Sequence, residues 1–467
     1  MKVLPFILAI ILFAGCATYH PQPISAEKTV DNFAARSLTN EDLHAFFETN
    51  HIAGQWPRTS WDLNALTLAA FYYQPSFAEA REQWASAEAA EITAGERPNP
   101  SVTVTPGYDS QVPGTPTPWI IPVTFDIPIE TMGKRSKRIA QAEQQAEAAR
   151  WTFISTAWQT RSRVRTAWLN YYAARENESL LAREVLAQSN VVRLLEGQKA
   201  AGAVSDNEVT QARVTFFTTQ LSAQDAVGQV NQARVELAGA LGVPLHALDG
   251  VKFSFAELNQ FPRELTKPEV RRQALFNRAD VRSALAQYAA SQDALQLEIA
   301  NQYPDIHLEP GYAYNSGNAG DNLWQLGLTL DLPILNHNQG PVAEAEASRA
   351  EAAAHFLTVQ SAAVTQIDSA LAGYNAALKE SATAKSLLEN LRKQLDSARA
   401  QAAVGEMDAL TLADAESAYC TGAQDELNAV IKAQQALGAL EDAVESPLTL
   451  SSQTLDAAQS NLSKTEQ

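Results

Sequence analysis

Cysteine, basic charge, metal-ligand spacings and long apolar runs are all scarce in this chain of 467 residues. Its two cysteines, Cys16 and Cys420, allow no disulfide framework. With 35 Lys and Arg against 53 Asp and Glu, the net charge of -18 disfavours nucleic acid or an anionic membrane surface as a partner and is compatible with cationic cargo. The seven histidines, His20, His44, His51, His246, His307, His337 and His355, lack ligand spacing, so no tight metal site is expected. No nucleophile motif, Gly-rich phosphate loop or paired-carboxylate signature stands out, which argues against an enzyme and against a bound cofactor. The apolar run from Val3 to Ala14 falls short of the ~20 residues that a membrane-spanning helix requires. Preceded by Lys2 and followed by Gly15-Cys16, residues 1–15 read as a lipoprotein signal peptide, cut before Cys16, whose thiol takes the lipid. An ordinary signal peptide or a short buried segment is the alternative. Cys420, on a helical stretch, reads as a small buried apolar residue.

One stretch stands against these absences. Trp119, Ile121, Val123, Phe125 and Ile127 alternate with Ile120, Pro122, Thr124, Asp126 and Pro128, the period of a half-buried strand. Beyond Gly133 the apolar positions fall at steps of three and four through Ile139, Ala142, Ala146, Ala149, Phe153, Ala157, Val164, Trp168 and Tyr171, with no proline before Pro244. A helix from Gly133 to Gly202 would be roughly 100 Å long, several times the width of a compact domain.

The same order then returns. Leu326, Leu328, Leu330 and Leu332 alternate, and a second long Ala-rich helical pattern runs from Gly340 to Gly405. Asp126-Ile127-Pro128 reappears 205 positions later as Asp331-Leu332-Pro333, Gly202 reappears 203 later as Gly405, and Pro106-Gly107-Tyr108 and Leu241-Gly242 reappear as Pro310-Gly311-Tyr312 and Leu437-Gly438. The pattern predicts one unit duplicated in tandem. Residues 16–61 form an extended outer arm. The first unit, 62–244, holds strands at about 101–108 and 119–128 and helices at about 133–201 and 205–241. After a connector at 245–268, the second unit, 269–444, holds strands at about 305–312 and 323–332 and helices at about 340–404 and 407–441. Residues 445–467 form a polar tail. The basic cluster Lys134, Arg135, Lys137 and Arg138 reads either as a headgroup-level band or as a solvated first helical turn.

Four strands of about nine residues with one apolar face suit a membrane barrel, yet four cannot close a barrel, and a bilayer forbids open edges. Copies must therefore share one: two would give eight strands and a filled interior, three would give twelve and a lumen. The duplicated strand and helix hairpins, the Asp-aliphatic-Pro strand ends, the Gly202/Ser205-Asp206 and Gly405-Glu406-Met407-Asp408 turns, the Leu-Gly helix ends and Cys16 together resemble the TolC-like outer membrane factors. Arg97-Pro98-Asn99-Pro100 and Met132-Gly133-Lys134-Arg135 look most like the CzcC-type heavy-metal exporters within that family. Ala17, in place of aspartate, resembles the sorting rule for lipoproteins of the Gram-negative outer membrane.

The resemblance implies a mainly α fold with a small transmembrane β part: a homotrimer whose twelve-stranded β-barrel continues into a twelve-helix α-barrel across the periplasm. It implies a passive duct, not an enzyme, lipid-anchored in the outer membrane and working with a periplasmic adaptor (membrane fusion protein) and an inner-membrane RND pump. The cargo expected is heavy-metal cations. Drug efflux and type I protein secretion are alternatives, and an envelope-tethering coiled-coil lipoprotein is the alternative from another class. Asp408 falls where the family places an entrance aspartate, so three copies would make a carboxylate ring, with Glu406 and Asp206 beside it. Helix capping is the other role open to Asp408 and Asp206. Thr411 stands where the family often has a second aspartate. Gly202, Ala203, Val204, Gly405 and Met407 mark the tips where an adaptor would dock, although plain helix reversal also accounts for the glycines.

Overall fold

The computed structural model describes residues 18–50, 55–108, 119–259, 261–262, 272, 275–315 and 321–446. Cys16, residues 1–15 and most of the 445–467 tail therefore lie outside the described residues.

The N-terminal segment holds helices α1 (Ala26–Ala34) and α2 (Glu41–Thr49), where an extended arm was expected. Leu38, Leu43 and Phe47 join the main core, which seats α2 against the protein, while α1 buries no residue and stays on the outside. Helix α3 (Leu63–Tyr73) starts where the Asp62 carboxylate accepts the Ala65 N–H at 2.8 Å. It stops because Pro75 forces Gln74 out of the helical region, and Pro75 then opens α4 (Pro75–Gly95) from its first position.

Strands β1 (Ser101–Val104) and β2 (Gly107–Tyr108) pair with opposite ends of β3 (Trp119–Ile129), separated at Thr105-Pro106, where proline removes a donor. Helix α5 (Lys134–Ala200) has 67 residues, about 100 Å at 1.5 Å per residue. Helix α6 (Asp206–Leu241) returns antiparallel along it. After 3-10 turns at Leu245–Leu248 and Ala256–Asn259 come α7 (Ala279–Ala300), β4 (Ile306–Asn315), β5 (Asp321–Leu330), the 65-residue α8 (Gln339–Ala403) and α9 (Ala409–Val444). Strand β5 ends immediately before Asp331-Leu332-Pro333, and β4 runs three residues past its expected end, to Asn315.

All strands join one antiparallel sheet in the order β1-β3-β4-β5. The register puts Val102, Phe125, Ile127, Leu308, Tyr312, Trp324, Leu326 and Leu328 on one face. That face is open to the surroundings: Trp324 is 78 % and Leu326 75 % exposed. Tyr108 packs edge-on against Trp119, and Tyr312 lies tilted against Trp324, at the end of the sheet away from the helices. The opposite face is polar. His307 Nδ1 lies 2.9 Å from Asp126 Oδ1, and Thr329 donates to Glu309 at 2.8 Å. Gln325 lies across Gly311 and Glu309 across Gly327, their direct cross-strand partners; a Cβ on Gly311 would come within 2.8 Å of Gln325 Nε2.

Below the sheet, two shorter helices lie along each long one: α4 and α6 along α5, and α7 and α9 along α8, with α7 and α9 also touching α5. The shorter helices meet end to end. Gly242, in the left-handed region at φ 74°, abuts the carbonyl of Tyr73, and Gln74 Nε2 donates to Gly239 and Ala240 oxygens at 2.7 Å. At the other joint the Ala279 N–H donates to Glu445 at 2.5 Å, and Arg278 donates to the Ala443 carbonyl at 2.7 Å. Residues 245–259 are more than a linker: Phe255 stacks 5.0 Å from Trp168, and Phe253 meets Tyr171 at 5.3 Å.

Candidate functional site

Two helix reversals form the end of the molecule farthest from the sheet. At the first, Gly202 turns left-handed (φ 76°) and the Ala203 N–H reaches the Gln198 carbonyl at 2.9 Å. Ser205 then caps α6 in a capping box with Glu208. At the second, Gly405 (φ 77°) plays the same part, and the Glu406 N–H donates to Gln401 at 2.9 Å. Here the cap is Asp408. Its Oδ1 accepts the Leu410 and Thr411 N–H groups, both at 2.9 Å, and its Oδ2 accepts the Thr411 hydroxyl at 2.8 Å. The Thr411 N–H and hydroxyl hold the Asp408 carboxyl below the usual carboxylate range, so it stays ionised. Thr411 thus clamps the one aspartate.

Asp206 does not cap. It occupies the first turn of α6 and pairs with Lys199 at the end of α5, while the adjacent Ser205 does the capping. Gly202, Ala203, Gly405 and Glu406 are exposed, while Val204 and Met407 are half-buried. Each stands just before its cap and folds onto the helix, Val204 beside Val209 and Met407 beside Leu412, as hydrophobic staples. The exposed apolar side chain at the tip is Val404, which the sequence reading passed over.

It also passed over two clips. Arg213 on α6 reaches back to Glu196 on α5, and Arg399 on α8 pairs with Glu416 on α9 at 3.1 Å. The two pairs occupy positions 203 apart with the charges exchanged. That exchange was the signal available in the sequence. Ala413 of the second hairpin packs in one cluster with Val191, Leu195 and Val209 of the first, so the tips lie side by side.

The basic cluster at the start of α5 has neither expected role. Arg135 donates to the Gly95 carbonyl at 2.5 Å and Arg138 to Ala94 at 3.0 Å, filling the unpaired end of α4, while Lys134 pairs with Asp305 at 2.8 Å. These residues fasten the helices to the base of the sheet. Among the described residues no group of three or more His, Cys, Asp or Glu side chains is placed to hold a metal ion, and no helix is long and apolar enough to cross a membrane. Cys420 is buried, its thiol pushed up by that burial.

A family model described as outer membrane efflux protein matches residues 72–243 and 270–445. The chain belongs to the outer membrane efflux protein family. Membership places it in the Gram-negative outer membrane with its helices reaching into the periplasm. It is 28 % identical over 216 residues to the cobalt-zinc-cadmium resistance protein CzcC of Cupriavidus metallidurans, covering 46 % of this chain and 50 % of that one. It is 25 % identical over 215 residues to the pyoverdine export outer membrane protein OpmQ of Pseudomonas aeruginosa, covering 45 % of each. The chain thus spans about half the length of the curated relatives it matches. The solved structure of CusC superposes with a TM-score of 0.66 over 84 % of this chain and 94 % of that one at 18 % identity, a likeness of fold.

Proposed function

We propose that three copies of this chain, each a tandem duplicate, build a passive duct that carries heavy-metal cations out through the periplasm and outer membrane. One observation carries this: the sheet has a largely apolar exposed face, and among the described residues its outer strands β1 and β5 each pair on one side only. Lipid tolerates the apolar face but not the unpaired edges, whose backbone groups cost several kcal/mol each when buried unsatisfied. Joining β1 of one copy to β5 of the next closes twelve strands around a lumen with the polar face inward. The exposed stripe Val214, Phe217 and Leu221 on α6 supports a further seam between copies.

The similarity to CzcC favours metal cations, with an RND pump and a periplasmic adaptor as partners, and lipid on Cys16 as a second anchor. The similarity to OpmQ favours a small organic cargo as the second reading. In either case the duct performs no chemistry: the pump supplies energy and the Asp408 ring, flanked by Glu406 and Asp206, sets the entrance. A tethering lipoprotein has no use for the apolar sheet face. Single-channel recording from outer-membrane extracts tests the duct: a heat-modifiable oligomer with discrete conductance is expected, and a monomeric, water-soluble protein without conductance overturns it. Labelled palmitate on wild type but not on Cys16→Ser tests the anchor.

A further inference from the structure

Midway along α5, Arg161 and Arg165 turn towards α9. Arg161 donates to Glu441 at 2.7 Å; Arg165 reaches Glu441 at 3.0 Å and the Gly438 carbonyl at 2.8 Å, and pairs with Asp442. Two basic and two acidic groups leave this cluster without net charge. Beside it lies a cavity of about 30 Å³, bordered by Arg161, Arg165, Trp168, Gln434, Gly438 and Glu441. That volume holds one small molecule, since a site for water needs about 10–15 Å³.

Two residues lining this cavity each carry a buried nitrogen with no hydrogen-bond partner among the described residues: Arg161 Nε and Trp168 Nε1. Both side chains are 2 % exposed, so bulk water does not serve them. Leaving a buried donor unpaired costs about 1–3 kcal/mol, more for a charged group. Neither side chain is free to turn away. Arg161 is held by Glu441 and lies over the Trp158 ring at 5.7 Å, while the Trp168 indole is stacked on Phe255.

We infer that this cavity is a binding site for a single small acceptor, a water molecule or a halide ion, which accepts from both Arg161 Nε and Trp168 Nε1. Both orphaned groups only donate, so the occupant must accept twice. It would complete the polar joint between α5 and α9, which Gly438 permits by leaving room for the Arg165 guanidinium.

The full-length protein, crystallised at a resolution that shows ordered water, tests this. A single density peak within hydrogen-bond distance of both nitrogens is expected. With bromide replacing chloride, an anomalous peak there identifies a halide, and its absence beside persisting density identifies water; either supports the site. In Trp168→Phe, which keeps a ring to stack on Phe255, the peak should weaken or vanish. An empty cavity in the wild-type protein, or either nitrogen found donating to a protein oxygen, overturns the inference without touching the proposed duct.

Discussion

Gly438 stands where Arg165 passes: a Cβ at Gly438 would lie 2.4 Å from Arg165 Nε. Position 438 therefore tolerates no side chain while Arg165 keeps its bonds to Glu441 and Gly438. Gly438→Ala should cost about 1–3 kcal/mol by overpacking, and more if the Arg165 pairs break. The melting temperature of the purified protein should drop, whereas Gly228→Ala, within α6 and with open space around it, should not lower it.

Asp408 joins capping and charge in one carboxylate, and substitutions separate the two. Asparagine caps nearly as well as aspartate, so Asp408→Asn should keep the second reversal intact while weakening channel block by trivalent cations. Asp408→Ala should also loosen the start of α9, seen as faster hydrogen exchange in its first turn. Unchanged block in the asparagine variant removes Asp408 from the entrance.

The exchanged clips predict a reciprocal rescue. Arg399→Glu places like charges opposite each other and should splay the second hairpin, raising the channel's open probability. Arg399→Glu combined with Glu416→Arg should restore the wild-type value. The pair is partly exposed, so the expected stability change is small, ~0.2–1 kcal/mol, and high salt should shrink it.

Glu445 makes one joint sensitive to pH. Burial pushes its carboxyl up to about 7, with Asp280 and Asp442 adding to the rise and the Ala279 N–H and Arg278 opposing it. The folded carboxyl holds its proton more tightly than an unfolded one near 4.5. The stability it contributes is therefore intact below about 4.5 and is lost as the pH climbs through about 7, on the order of 3 kcal/mol. Hydrogen exchange around Ala279, corrected for its intrinsic pH dependence, should quicken over that window, and Glu445→Gln should flatten the profile.

The long elements were legible because each is decided by neighbours in sequence. Trp119 to Ile127 alternates whatever it packs against, and Gly202 and Gly405 end helices through their own backbone freedom. The remainder depended on distant partners. Nothing near Leu43 or Phe47 announces that these residues of a polar arm will join the main core. Arg161 and Arg165 look like solvated residues of a helix until Glu441, 280 and 276 positions away, arrives beside them. At the tips the pattern located the turns but not the packing of the side chains: Val204 and Met407 precede a cap, and such residues fold inward towards the fourth residue of the helix.

On the polar face of the sheet, Gln325 and Glu309 recline over Gly311 and Gly327 like slats shut flat against a wall. Were either glycine replaced by a larger residue, the opposite side chain would have to stand upright. Two residues without side chains thereby set the free width along this surface, and clearance, more than affinity, becomes the property that the outer portion of the molecule is shaped to provide.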